Sequence, residues 1–176
     1  MTRYTFENKV VFITGSNRGI GKAIIEILIK SKVKKIYAAA RDIKNLNFND
    51  SRVVPVQLDI TDNQQVQNVT SLASDTQTLI NNAGSLALAP IASGRLEDII
   101  RDMEVNYFGT VRMIQAFVPI LERNKDAAIA NFSSIIGLAS MAGVGGYCAA
   151  KAAVTSATQA IRTELKSKNI NVYCIF

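Results

Sequence analysis

A short apolar run at residues 9–14, rich in β-branched side chains, passes directly into a turn holding Gly15, Gly19 and Gly21. From Ile20 the apolar positions become Ile20, Ala23, Ile24, Ile27 and Leu28, with Lys22 and Lys30 between and beyond them, which is the stripe of an amphipathic helix. The run therefore predicts a buried strand, and the glycines fall between strand and helix. A turn in that place can bring backbone N–H groups against a phosphate while the positive end of the helix dipole faces it. It can equally be a tight connection that binds nothing. The spacing is Gly-x3-Gly-x-Gly, which differs from the more familiar Gly-x-Gly-x-x-Gly.

The same alternation continues along the chain. Residues 35–40 and 53–58 predict a second and a third strand, joined by a polar connection rich in Asn and Asp. A helical pattern covers 62–74, a fourth strand 78–81, and a stretch without period at 85–94 that carries Pro90 predicts a surface loop. A long helix is expected over 96–123, a fifth strand over 127–132, a flexible lead-in over 143–146, a helix over 147–166 and a sixth strand over 171–176. Strands alternating with helices imply right-handed crossovers and an α/β fold with a doubly wound, Rossmann-like parallel sheet ordered 3-2-1-4-5-6, helices on both faces. Residues 1–176 are expected to form a single domain. In such a sheet ligands bind beyond the carboxyl ends of the strands, where Gly15, Arg41, Asp59, Asn82 and Ser134 all fall.

Charge and composition exclude other classes. The net charge of +6 is all N-terminal: residues 1–50 hold ten Lys/Arg against four Asp/Glu, and the rest hold ten of each. Lys30, Lys32, Lys34 and Lys35 cluster at the end of the first helix, where cations suit the helix C-terminus, and read as a solvated face. A nucleic-acid surface would need a longer basic stripe with interleaved aromatics, and aromatic residues make up 7 % with no Trp. Cys148 and Cys174 form no paired or metal-ligand pattern, which points to a reducing compartment and a cytoplasmic location. No run approaches membrane-spanning length. With no histidine, the chain supplies neither Ser-His-Asp nor Cys-His chemistry.

What titratable chemistry remains centres on Tyr147 and Lys151, one helical turn apart, with Ser134 thirteen residues upstream. A phenol that titrates near ~10 acts as an acid or base near neutrality only if its anion gains about 4 kcal/mol. An ammonium ~4 Å away at an effective dielectric of about 20 supplies a term of that size before desolvation is subtracted. The expectation is that Lys151 lowers the proton affinity of Tyr147. By itself the pair also fits a half-buried ring beside a solvated amine.

Joined in this order, Thr14-Gly15-x3-Gly19-Ile20-Gly21, Asn81-Asn82-Ala83-Gly84, Asn106, Ser134 and Tyr147-x3-Lys151 resemble the signatures of the short-chain dehydrogenase/reductase family, over essentially all of residues 9–176. The resemblance implies that Tyr147 exchanges a proton with a substrate oxygen, that Ser134 hydrogen-bonds that oxygen, that Lys151 holds the nicotinamide ribose and lowers the tyrosine, and that Asn106 anchors a water-mediated proton path. Hydride would pass between the nicotinamide and the carbonyl carbon. It implies a dinucleotide held by Gly15, Asn17, Arg18, Gly19, Ile20, Gly21, Arg41, Asp59, Ile60, Asn82, Ala83, Gly84, Tyr147 and Lys151, and a homodimer formed through the helices bearing Asn106 and Tyr147.

At the end of the second strand, Ala40-Arg41 offers no carboxylate for a ribose hydroxyl, whereas Arg18 and Arg41 offer two guanidinium groups that suit a 2′-phosphate. NADP(H) is therefore the expected cofactor, with NAD(H) possible if both arginines face solvent and Asp42 contacts the ribose. Asp59 resembles the family's contact to the adenine but could simply cap a helix. Apolar Ile135, Ile136, Leu138, Met141 and Val144 suggest an apolar wall beside a small carbonyl or alcohol substrate, or ordinary core. The sequence ends at Phe176, where family members continue with a Pro-Gly turn, a substrate-covering segment and a further strand and helix. A dinucleotide-binding or sensor module without turnover therefore stands beside the oxidoreductase as an alternative, and a dehydratase, epimerase or scaffold on the same fold is a more distant one.

Overall fold

The computed structural model describes residues 4–44 and 46–176. Six strands, β1 (Val10–Thr14), β2 (Lys35–Ala40), β3 (Val53–Gln57), β4 (Thr78–Asn81), β5 (Ala128–Phe132) and β6 (Asn171–Ile175), form one sheet in the order β3-β2-β1-β4-β5-β6. Every neighbouring pair is parallel. The order reverses between β1 and β4, so their carboxyl ends open a crevice where the glycine turn begins.

The sequence of β1 explains its central place. All five of its residues are buried, and they alternate between two cores. Val11 and Ile13 pack with Ile25 and Leu28 of helix α1 (Gly19–Lys30). Val10 and Phe12 face the opposite layer, with Val66 and Val69 of α2 (Asn63–Leu72) and Met113, Phe117 and Leu121 of α4 (Gly109–Arg123). The Phe12 and Phe117 rings lie 4.7 Å apart and neither is exposed, so truncating either would cost about 3–5 kcal/mol.

Among the described residues, no helix lies between β2 and β3. Arg52 instead anchors this connection: its guanidinium donates to both Asp50 carboxylate oxygens, at 2.9 and 2.7 Å, and to Ile29 O and Val33 O at the end of α1 and in the turn after it. Carbonyls that a helix C-terminus leaves unpaired are satisfied this way. The guanidinium's hydrogen bonds hold the Asp50 carboxyl at about 2.

One predicted helix is interrupted. In place of a continuous helix over 96–123 there are α3 (Leu96–Met103), a π-helical turn at Glu104–Phe108, and α4. At that turn the Gly109 N–H reaches back five residues to Glu104 O. Asn106 causes the widening: its Nδ2 donates to Asp102 O (2.9 Å) and to Ser85 O (2.8 Å), and its Oδ1 accepts from Ser85 N (3.3 Å). A side chain inserted into the helical ladder in this way is a recognised origin of π turns.

Helix α5 (Gly145–Glu164) begins two residues before the expected start at Tyr147. Gly145 and Gly146 are pressed against neighbours, since a Cβ on the first would lie 2.3 Å from Ile91 Cγ1 and on the second 3.1 Å from Ile99 Cα. At the sheet edge β6 has β5 as its neighbour, and Tyr173, Ile175 and Phe176 remain 39, 37 and 54 % exposed.

Candidate active site

The crevice at the β1/β4 reversal holds a cleft of about 660 Å³. Its floor follows from the glycines. Gly15 takes a φ of +70°, and a Cβ there would lie 2.8 Å from Ala83 Cα, so only glycine lets the two strand ends approach this closely. Gly21 seats the first turn of α1 against the strand end, where a Cβ would meet Gly15 O at 2.1 Å. Thr14 Oγ1 accepts from Asn82 N (3.1 Å) and Ala83 N (3.0 Å), while Asn82 Nδ2 donates to Thr14 O (3.0 Å) and Gly15 O (3.1 Å). These bonds strap the glycine turn to the end of β4. The first turn of α1 has neither a side-chain cap nor an acidic residue, which leaves its amide groups free for an anion.

All the residues expected to touch the nucleotide from Gly15 to Gly84 line this cleft. Arg18 and Arg41 do so from exposed positions. Asp42 does not line it, and its Oδ1 accepts from Lys44 N at 2.9 Å. Asp59 is no helix cap: Asp62 caps α2 by accepting from Gln65 N, while Asp59 Oδ1 accepts from Thr61 N and Thr61 Oγ1. An open glycine floor, uncapped helix amides and two guanidinium groups fit a phosphorylated dinucleotide.

A second hollow of about 410 Å³ shares Arg18, Ile20, Asn82, Gly84 and Ser85 with the first, so the two adjoin along that wall. Tyr147 and Lys151 line it. Lys151 is 4 % exposed, and its Nζ donates to Phe132 O (2.7 Å) and lies 5.5 Å from the centre of the Tyr147 ring. Burial lowers its pKa to about 8. The Tyr147 phenol is pushed above its ordinary value, first by burial, then by its neighbours Asp102 and Cys148. The expectation that Lys151 lowers Tyr147 is therefore not met here: the amine faces the ring and a carbonyl, and burial acts on both groups against their charged forms.

The serines divide their roles. Ser133 lines the hollow and is locked, its Oγ donating to Lys151 O at 3.0 Å and paired with Thr155 Oγ1 at 2.7 Å. Ser134 does not line it; its Oγ accepts a long bond from Ile136 N (3.4 Å) in a 3-10 turn, leaving its hydroxyl proton uncommitted. That turn is pinned to α5, because Gly137 sits where a Cβ would be 2.8 Å from Lys151 C. Asn106 does not line the hollow but stands close to it: a Cβ on Gly84 would be 2.6 Å from Asn106 Oδ1 and 3.8 Å from Lys151 Nζ, so both side chains approach this glycine. Thr14 and Ser133 carry structural bonds that the sequence reading did not assign, although both stand beside assigned residues.

Among known proteins the chain is 33 % identical to oxidoreductase BOA17 of Botryotinia fuckeliana, over 93 % of this chain and 63 % of that protein. It is 31 % identical to an NADP-dependent 3-hydroxy acid dehydrogenase of Schizosaccharomyces pombe, over 94 % of this chain and 69 % of that protein. A crystal structure of a short chain dehydrogenase from Burkholderia cenocepacia in complex with NADP superimposes with a TM-score of 0.93 and 36 % identity, covering 97 % of this chain and 72 % of that one. The chain thus spans less than two thirds of the length of the first of these relatives. Residues 9–176 match the model of the family described as short chain dehydrogenase, and with this sheet, this glycine turn and this Tyr147/Lys151 hollow the chain belongs to that family.

Proposed function

We propose that the protein is an NADP(H)-dependent oxidoreductase that interconverts a carbonyl and an alcohol, with Tyr147 as its general acid/base. One observation carries this: the hollow lined by Tyr147 and Lys151 adjoins the cleft that holds the glycine turn and both arginines, the two sharing Arg18, Ile20, Asn82, Gly84 and Ser85. A bound nicotinamide would supply or accept the hydride. The phenol, pushed upward, carries its proton at neutral pH and so suits donation to a carbonyl oxygen, the reductive direction. Ser134 lies outside the lining of that hollow but keeps a free hydroxyl proton, and the family resemblance would assign it to the same oxygen; Lys151 holds the ring from one side. Arg18 and Arg41 would hold the 2′-phosphate, and the NADP named for the Burkholderia cenocepacia structure supports that choice. A single domain, a homodimer through the helices bearing Asn106 and Tyr147, and a cytoplasmic location belong to the same proposal.

Turnover of a panel of ketones, aldehydes and alcohols with NADPH or NADP tests it. We expect stereoselective conversion of at least one member, lost in Tyr147→Phe while NADPH binding persists. The second reading, a dinucleotide-binding module without turnover, is favoured by Lys151 Nζ being engaged with Phe132 O. NADPH binding with no conversion across the panel would establish it.

A further inference from the structure

Asp102 is the one wholly buried carboxylate among the described residues, although Glu97 and Arg101 on the same helix are exposed. Its Oδ1 accepts from Ala87 N (3.0 Å), in the loop that follows β4. Its Oδ2 and the buried hydroxyl of Ser85 make no well-formed hydrogen bond among the described residues, although the two groups are close enough for the hydroxyl to act on the carboxyl. A Cβ on Gly146 would lie 3.4 Å from Oδ2, so the carboxyl packs against the first turn of α5 one residue before Tyr147. That turn carries no side-chain cap and no acidic residue of its own. A wholly buried carboxylate held by so few hydrogen bonds is costly and uncommon, which calls for a reason beyond packing.

The two acids also act on one another. Burial holds the Asp102 carboxyl above the usual carboxylate range, Asp98 adds to this, and the Ala87 N–H, the Arg101 guanidinium and the Ser85 hydroxyl oppose it. After burial, the charge of Asp102 is the largest influence that pushes the Tyr147 phenol up. The other charged or titratable groups around the pair are Asp98 and Arg101 on α3 and Cys148 and Lys151 on α5; the loop over residues 85–94 contributes none.

We propose that Asp102 is a positioning residue for Tyr147: a buried carboxyl that joins the loop after β4 to the first turn of α5 and ties the ionisation of the phenol to that of a second acid. This rests on Tyr147 being the acid/base group. The pair gives the site two linked proton equilibria. When Asp102 is anionic the phenol holds its proton more tightly; when it is neutral the phenol releases it more readily.

The test is a titration that needs no substrate. Protein carrying 13C at the tyrosine Cζ is titrated by NMR, and the Tyr147 resonance is assigned by its loss in Tyr147→Phe. In the native protein that resonance should show a small step in the acid range, above the ordinary carboxylate value, and a large step at its own ionisation. Asp98→Asn should keep the small step. Asp102→Asn should abolish it and move the large step down by at least about half a unit, roughly a threefold loss of proton affinity. Absence of the small step in the native protein, its loss in Asp98→Asn, or an unchanged large step in Asp102→Asn would overturn the proposal. If Asp102→Asn does not fold, the step in the native protein and in Asp98→Asn decides alone. Turnover that survives Tyr147→Phe would remove the acid/base role while leaving this coupling measurable.

Discussion

Lys151 meets Tyr147 at its ring rather than at its hydroxyl: Nζ stands 5.5 Å from the ring centroid while donating to Phe132 O at 2.7 Å. A cation over an aromatic face gains about 0.5–2 kcal/mol, which does not offset the removal of an ammonium from water. The site therefore holds a destabilised ammonium, and Lys151 stays 4 % exposed, its Nζ near Gly84 and the end of β5.

Lys151→Met should make the folded chain more stable at pH 7. Its pKa falls from 10.5 to about 8 on folding, so the unfolded chain binds the proton more tightly. The penalty is fully present below about 8 and fades as pH rises toward 10.5, so native stability gains with pH across that window. The shift corresponds to at most about 3 kcal/mol, reduced by about 1 kcal/mol for the lost bond to Phe132 O. Urea midpoints should put the variant above the native protein at pH 7 and level with it near pH 10. A variant less stable at pH 7 would show that the ammonium is net stabilising.

The glycines of the turn should separate fold from binding. Gly21→Ala forces a Cβ to 2.1 Å from Gly15 O, a backbone atom that cannot swing away, and should cost about 2–3 kcal/mol in thermal or urea unfolding. Gly19 has a φ of +54° and open space around its missing Cβ. Gly19→Ala should therefore cost only about 1–2 kcal/mol of backbone strain and fold normally, yet weaken NADPH binding, because Gly19 lines the nucleotide cleft. Equal losses of stability in the two variants would contradict this division.

The sheet order was legible in the sequence because strands alternate with helices along the chain, and the apolar run Val10–Ile13 of β1 marks a strand covered on both faces. Tyr147 and Lys151 were brought together by helical spacing, a local rule that survives folding. Their electrostatics were not legible, since they depend on how deep the first turns of α5 sit and on which carbonyl the amine reaches. Asp102 stands in a charged helical stretch, and its burial arises from Gly146 crossing α3, a contact no local pattern encodes. The π turn was hidden for the same reason: Asn106 widens it by bonding Ser85, twenty-one residues away.

Asn106→Ala should loosen the loop after β4. The substitution removes the acceptor of Ser85 N–H and the donor to Ser85 O and Asp102 O. Leaving such groups unpaired costs about 1–3 kcal/mol each where water cannot enter. Hydrogen exchange should accelerate at Ser85 and Ala87 and at Gly109, whose bond to Glu104 O closes the π turn, while the amides of β1 stay protected. Unchanged exchange at Ser85 would mean that the loop is held by Thr14 and Asp102 alone.

Arg18 and Arg41 should govern the choice between the two nicotinamide dinucleotides. Both are exposed, both line the cleft, and neither side chain makes a hydrogen bond or ion pair within the chain among the described residues. Their removal should consequently leave the unfolding midpoint almost unchanged. A hydrogen bond to a charged group contributes about 1.5–3 kcal/mol, so each of Arg18→Ala and Arg41→Ala should weaken NADPH about tenfold or more. NADH, lacking the phosphate, should lose little in either variant. Raising salt should weaken NADPH more than NADH in the native protein and erase less of the difference in the double variant, because screening acts on the charge that the arginines meet. Fluorescence titration of the four proteins with both nucleotides measures all of this at once. Equal losses for NADPH and NADH would show that the guanidinium groups act on the diphosphate they share, and would assign the ribose contact elsewhere on the rim between β1 and β2.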